Sequence, residues 1–165
     1  MTLYAENETE VTFPFPVEEI ARSVIQAVLE EENCPYEATV NLLLTDNAGI
    51  REYNRQYREI DRETDVLSFP NLDFDEPGNF DRAEDHEADY FDPDSGELIL
   101  GDVIVSVDKV IEQAECYGHD QKREFAFLDC QSLLHLFGYD HMEENERLIM
   151  EGKQEKILQG LGITR

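Results

Sequence analysis

Residues 131–141 read QSLLHLFGYDH, and this stretch combines a helical pattern with the residue types of a metal site. Gln131 and His135 are four positions apart, so on a helix their side chains share one face. Gly138 permits the left-handed backbone that commonly ends a helix, and the turn can bring His141 back toward that face. The spacing therefore predicts three donors converging on one metal ion, with a fourth coordination position open.

The same spacing occurs in the zinc-protease pattern HExxHxxGxxH, and two departures from it limit the interpretation. Ser132 stands where the protease has its general base, which disfavours a metalloprotease. Gln131 stands at the first ligand position, and a neutral carboxamide is a weak ligand for zinc. The alternative is that His135 is an ordinary histidine on a mostly apolar helix, with no metal.

The elements around this stretch follow from apolar periodicity. The predicted helices span residues 17–32, 47–58, 108–117, 121–137 and 143–159, and the predicted strands cover residues 3–8, 40–44, 66–69 and 98–107. Apolar side chains nearly surround the helix at 121–137, so it should be central, and Gly101 predicts a bulge or a close approach inside the last strand. Strands early and in the middle, with helices dominating the end, predict the α+β class in a single domain of 165 residues.

A second candidate feature is a set of arginines at helical intervals. These are Arg51, Arg55, Arg58 and Arg62. On a helix they form one basic stripe, although Arg62 falls just past the predicted end. The stripe predicts a phosphate-binding surface, since guanidinium groups bind phosphate in a fork. The alternative is a solvated face paired with neighbouring glutamates.

The charge of the chain restricts its partners. It has 13 Lys and Arg against 39 Asp and Glu, a net charge of −26, which repels nucleic acid and anionic membranes at long range. Residues 71–98 hold 11 acidic residues and one basic residue with Pro and Gly breakers, which predicts a solvated insertion loop. Three cysteines without CxxC spacing argue against a disulfide framework. With no apparent secretory signal or membrane span, the sequence predicts a cytoplasmic protein.

Four signatures carry a family resemblance, and the last of them lies within residues 131–141. Asn54–Arg58 followed by Thr64–Pro70 resembles an NxxYR…TDVLSFP signature. Leu100–Ser106 resembles a GDIxIS strand, Tyr117–His119 with Arg123-Glu124 resembles a YGH…RE segment, and Leu134–His141 resembles LHLxGYDH. In this order and spacing they resemble the YbeY family of bacterial metal-dependent endoribonucleases, from about residue 40 to the end of the chain.

The resemblance implies a small mixed β-sheet covered by helices, with the site in a cleft on the central helix. It implies one zinc ion per chain, with His135 and His141 as ligands and Gln131 at the position of the first ligand histidine. Arg58 falls on the functionally important arginine, and the stripe residues Arg51, Arg55 and Arg62 would bind RNA. His119, Glu124, Asp102 and Asp140 would support the site, Glu124 from the helical face of Gln131 and His135.

The implied activity is metal-assisted cleavage of single-stranded RNA in ribosomal RNA processing and ribosome quality control. The partners would be ribosomal RNA and the small ribosomal subunit or its assembly factors, without DNA or membrane. Gln131 leaves several alternatives open. The site could be weakened, could recruit His119 or Cys130 as a replacement ligand, or could have lost metal in a ribosome-assembly factor with impaired catalysis; residue 131 could also be an artefact.

Overall fold

The computed structural model describes residues 1–163 and contains one four-stranded sheet. The strands are β1 (Thr2–Asn7), β2 (Ala38–Thr45), β3 (Val66–Pro70) and β4 (Leu98–Ser106). Their order is β1-β2-β4-β3, in which β2 is parallel to both β1 and β4, and β3 is antiparallel to β4. A mixed sheet packed with helices confirms the predicted α+β class.

Seven helices connect and cover the strands within residues 1–163. They are α1 (Val17–Glu31), α2 (Asn47–Arg58), α3 (Asp81–Asp85), α4 (Glu87–Tyr90), α5 (Val107–Tyr117), α6 (Gln121–Leu136) and α7 (Glu144–Gly160). The predicted boundaries of the five long helices agree within a residue or two because local signals set them. Asp46 and Asp120 cap α2 and α6 by accepting from backbone N–H groups, and Gly118 ends α5 in the left-handed conformation.

The two faces of the sheet are covered unequally. Helices α1 and α6 pack on one face, where α6 is buried nearly all round and forms the centre of the main core. On the other face, Ile50 of α2 packs on Leu67 and Ile104 in a small separate cluster. The central position predicted for α6 is therefore confirmed, and it anchors the residues that follow it.

Gly101 explains the irregularity predicted inside β4. The register between β2 and β4 shifts between Thr39 and Val40, so one residue of β4 is left as a bulge. Gly101 has a φ of +144°, and a Cβ placed there would lie 2.3 Å from the carbonyl oxygen of Phe69. Only glycine fits this close approach between β3 and β4.

The acidic insertion differs from the prediction of a solvated loop. It contains the short helices α3 and α4, and Leu72, Phe80 and Ala83 are buried in the main core. The backbone N–H of Gly78 donates to the Phe137 carbonyl at 2.9 Å, directly after α6. A few apolar side chains, which could not be singled out from the sequence, anchor the segment, while most of its carboxylates lie in solvent.

Within residues 1–163, no helix combines the length and the apolar composition that crossing a membrane would require.

Candidate metal centre

A turn directly after α6 reverses the chain, and the backbone N–H groups of the turn donate to carbonyls at the end of the helix. Gly138 has a φ of +95°, and its N–H donates to the carbonyl of His135 at 3.0 Å. The N–H of Tyr139 donates to the carbonyl of Leu134 at 3.1 Å, which ties the turn to the helix end. This turn carries the chain back over the last turn of α6, as the glycine spacing predicts.

The turn brings three possible donors together. One ligand atom from each of His135, Asp140 and His141 lies within 4.8 Å of the others, and the two imidazole centroids are 5.0 Å apart. Asp140 was predicted only as a supporting residue, yet it stands among the donors. It was missed because the family pattern assigns the ligand positions to residues 131, 135 and 141, and spacing alone does not show where an adjacent carboxylate turns.

Hydrogen bonding and burial prepare His135 for a metal. Its Nδ1–H donates to the carbonyl of Tyr139 at 2.8 Å, which fixes the tautomer and leaves the Nε2 lone pair free. Burial lowers the pKa of His135, and the charges of His141 and Arg58 add to this effect, whereas the Tyr139 carbonyl and the charge of Asp140 oppose it. The neutral imidazole required of a ligand is therefore favoured.

The side chain of Tyr139 attaches the turn to neighbouring helices. Its hydroxyl donates to Oε2 of Glu32 at 2.9 Å, just after the end of α1. Lys153 of α7 lies 3.4 Å from Oε1 of Glu32, with its Nζ 5.2 Å from the centre of the Tyr139 ring. The backbone carbonyl of Tyr139 accepts the hydrogen bond from His135. The position of the imidazole therefore depends on the contacts that Glu32, just after α1, and Lys153 of α7 make with Tyr139.

Gln131 also lies at this site. It lines a cavity of about 260 Å³ between α6 and α7 together with His141. Arg147 and Glu151 of α7 line the same cavity, with an N–O distance of 3.9 Å between them. Neither residue could be identified from its sequence pattern, since both stand in an acidic helix without a recognisable motif.

The donor set fits a zinc ion. Two imidazoles and one carboxylate are ligands that zinc accepts, and the weak amide of Gln131 is not required to complete three. Neither replacement ligand considered from the sequence lies in this group. Cys130 is fully buried in the main core, and His119 is buried against Glu124 at the start of α6.

The arginine stripe is divided by its ion pairs. It consists of Arg51, Arg55 and Arg58 on α2, with Arg62 past the helix end as predicted. Arg51 donates to Asp61 at 2.8 Å, and Arg55 pairs with Glu52. In residues 1–163, no carboxylate oxygen lies within ion-pair distance of Arg58 or Arg62. These two therefore remain the better candidates for contact with phosphate.

The predicted supporting residues have different positions. His119 Nε2–H donates to Glu124 Oε2 at 2.5 Å, and this buried pair joins α5 to α6. Asp102 accepts from Asn41 at 2.8 Å on an exposed part of the sheet. Along β4 the neighbouring Val103 enters the core that contains α6, so Asp102 faces the opposite side of the sheet, away from the metal donors.

Ser132, the residue after Gln131 on α6, contacts β3. Its hydroxyl lies 2.6 Å from that of Ser68 in a buried hydrogen bond between α6 and the sheet edge. Ser132 thus contributes a contact between helix and strand. The possible metal donors come from His135 of α6 and from the turn.

The chain resembles known proteins along its whole length. A family model described as Endoribonuclease YbeY matches residues 3–162. A protein of Agathobacter rectalis named Endoribonuclease YbeY is 58% identical over 165 residues, covering 100% of both chains. One of the same name from Lachnoclostridium phytofermentans is 54% identical, again covering 100% of both chains.

A solved structure shows a similar fold. The solution structure of TM1509 from Thermotoga maritima matches with a TM-score of 0.54 at 20% sequence identity. The match covers 97% of this chain and 91% of that one, so the similarity of fold extends over nearly the whole molecule.

Proposed function

The chain belongs to the YbeY family of endoribonucleases, and we propose that it cleaves single-stranded RNA in ribosomal RNA processing and ribosome quality control. The observation that carries this proposal is the group formed by His135, Asp140 and His141 within the electrostatic influence of Arg58. Metal donors, together with a guanidinium that makes no ion pair within residues 1–163, suit phosphodiester hydrolysis.

Each residue has a defined task in this proposal. His135 and His141 would hold zinc through imidazole nitrogens, Asp140 through a carboxylate oxygen, and Gln131 would be at most a weak fourth donor. When bound, the metal supplies Lewis acidity at the phosphodiester. Arg58 binds the phosphate oxygens and offsets the negative charge that develops on them. Tyr139 keeps His135 in the tautomer that can act as a ligand.

The proposed partners are ribosomal RNA and the small ribosomal subunit or its assembly factors, in the cytoplasm. A net charge of −26 opposes the approach of RNA, and Arg58 and Arg62 supply the local positive charge that remains. Binding of RNA should accordingly be weak in the isolated protein.

A second candidate is an assembly factor that binds ribosomal particles without cleaving RNA. Gln131 at a ligand position favours it, because a two-histidine site with an amide holds zinc poorly. Asp140 among the donors favours the enzyme. The two candidates therefore differ in whether the natural protein retains metal.

The first test is zinc content by elemental analysis of untagged protein beside Gln131→His. We expect about one zinc per chain in both, with loss in His135→Ala and retention in His86→Ala, which removes an exposed histidine of the insertion. Zinc in Gln131→His alone would overturn the metal-assisted mechanism for the natural chain and favour the assembly factor.

The second test is cleavage of a labelled single-stranded RNA. Arg58→Ala should lower kcat/KM by about 100-fold or more, the order of magnitude for loss of a charge-stabilising donor. Arg55→Ala, which removes a guanidinium already paired with Glu52, is the matched control and should retain most activity. Equal activity in all three proteins would refute the proposed site.

A further inference from the structure

Helix α7 turns one face toward the cavity of about 260 Å³ beside the candidate metal centre. The residues of this face stand at spacings of three and four and are Arg147, Met150, Glu151 and Gln154. We call this cavity the α7 pocket. His141, a possible metal donor, also lines it, so a group bound in the α7 pocket would lie next to the bond that the proposed metal acts on.

The floor of the α7 pocket is buried and held in place. Met150 is 2% exposed and Gln154 is 4% exposed, and Nε2 of Gln154 donates to the carbonyl of Phe127 at 2.9 Å. A second cavity of about 350 Å³ continues along α7, and Phe127, Glu151 and Gln154 line both cavities. Joined, the two cavities fall within the roughly 300–1,000 Å³ typical of small-ligand sites. Unstacked nucleobases bind in such places, because their flat faces pack on aromatic and apolar side chains.

Arg147 and Glu151 stand at the mouth of the α7 pocket. Their side chains are 48% and 57% exposed, and Nη1 of Arg147 lies 3.9 Å from Oε1 of Glu151. Oε1 of Glu144 lies 3.7 Å from Nη2 of the same guanidinium. Both distances are too long for a hydrogen bond, so the guanidinium and the Glu151 carboxylate can both bind a ligand.

The mixed charge of this mouth favours a base over a phosphate. A phosphate bound to Arg147 would lie beside the carboxylates of Glu144 and Glu151, which would repel it. A nucleobase is neutral and offers donors and acceptors along one edge. It can therefore form hydrogen bonds with the guanidinium and with the carboxylate at the same time.

We propose that the α7 pocket binds a guanine base of the RNA next to the cleaved phosphodiester. Glu151 accepts from the N1–H and N2–H groups of guanine, and Arg147 donates to O6 and N7. Adenine, cytosine and uracil each lack two neighbouring N–H groups that a carboxylate can bind with both oxygens, so they form fewer hydrogen bonds here. The proposal rests on the proposed function, and it adds a base preference that the metal donors and Arg58 do not supply.

The test is fluorescence anisotropy with labelled UUUXUUU heptanucleotides, where X is guanine, adenine, cytosine, uracil or hypoxanthine. Hypoxanthine is guanine without the N2 amino group. The pocket variant is Glu151→Ala, and the matched control is Glu146→Ala, which removes an exposed glutamate of α7 that lines neither cavity. Gel electrophoresis after each titration verifies that the RNA is intact, and circular dichroism verifies that the variants are folded.

We expect wild type to bind the guanine heptanucleotide about 5-fold or more tightly than those with adenine, cytosine or uracil, with hypoxanthine between them. Glu151→Ala should lower this preference to about 2-fold or less, whereas Glu146→Ala should keep it. The absence of a guanine preference in wild type would overturn the proposal, as would a preference that Glu151→Ala leaves unchanged. The ranking of bases by wild type decides the matter if a variant unfolds.

Arg147→Ala provides the second arm. It should weaken binding of the guanine heptanucleotide by about 5-fold and of the uracil heptanucleotide by less than about 2-fold. Equal weakening with all five bases would show that Arg147 binds phosphate, and the guanine assignment would be wrong. Cleavage of the same RNAs is measured separately. A guanine preference without cleavage would refute the nuclease assignment and support the base site, whereas cleavage without a base preference would do the reverse.

Discussion

Replacing Gly101 by alanine should destabilise the protein through a clash between two strands. The added Cβ would lie 2.3 Å from the backbone oxygen of Phe69 and 3.1 Å from the backbone nitrogen of Asn71. Neither atom can rotate away, so β3 must move from β4 or the bulge must change. The φ of +144° is a second source of strain, since side chains disfavour that conformation.

The expected magnitude combines these two effects. A φ of +144° costs a side chain about 1–3 kcal/mol, and overpacking against a rigid neighbour costs about 1–3 kcal/mol. The sum of roughly 2–6 kcal/mol is a large part of the 5–15 kcal/mol typical of a domain. For a chain of this length each kcal/mol lowers Tm by roughly 2–4 °C, so Tm should fall by about 4–24 °C.

Two glycine variants separate the contributions in urea and thermal unfolding. Gly118 has a φ of +71° with nothing within 4 Å of an added Cβ, so Gly118→Ala carries the cost of a left-handed φ without a clash. Gly152 in α7 has neither a positive φ nor a neighbour, so Gly152→Ala should gain about 0.5–1 kcal/mol. If Gly101→Ala loses no more stability than Gly118→Ala, the close approach of β3 and β4 has no energetic weight and the reasoning fails.

Three further predictions concern polar side chains. Burial raises the pKa of Asp129 well above its ordinary value, so stability falls as pH rises from the unfolded pKa near 4 toward the folded pKa. In urea unfolding, Asp129→Asn should be more stable by about 1–3 kcal/mol at pH 8 and by less at pH 5, and a pH-independent gain would contradict this. Tyr139→Phe removes the hydrogen bond to Glu32 and should lower the free energy of unfolding by about 1.5–3 kcal/mol in the same assay. Zinc should stay bound, because the backbone carbonyl that accepts from His135 remains. Unchanged stability would count against the anchoring role of Tyr139. Tyr36 donates to Glu84 of α3, and burial with this bond raises its pKa to about 12, so the contact persists through neutral pH. Tyr36→Phe should speed proteolysis within residues 71–98, and an unchanged cleavage rate would refute the anchoring role.

The fold could be predicted closely where local chemistry sets it. Asp46 and Asp120 are capping residues just before helical periodicity begins, and each caps its helix in the structure. Gly101 inside an apolar strand predicts a bulge, and the bulge is present. The packing of the insertion could not be predicted, because Leu72 and Phe80 are isolated apolar residues among carboxylates, and only the tertiary structure shows which side chains find the core.

Some features of the candidate site could likewise be predicted from the sequence, and others could not. Helical spacing and Gly138 predict that His135 and His141 approach each other, since both follow from backbone geometry. The position of Asp140 depends on side-chain direction in the turn, which spacing does not specify. The ion pairs of Arg51 and Arg55 depend on which carboxylates happen to be near, so the stripe looked more uniform in the sequence than it is in three dimensions.

The strand order has a consequence for folding while the chain is being synthesised on the ribosome. The inner neighbour of β2 is β4, whose first residue, Leu98, is synthesised 53 positions after Thr45. At a synthesis rate of roughly 5–20 residues per second, the apolar side chains of β2 remain without this partner strand for about 3–11 s. Net negative charge opposes self-association of the nascent chain during this interval. Ribosome-stalled chains that end before Leu98 should be digested throughout by protease, whereas chains extended beyond α6 should resist.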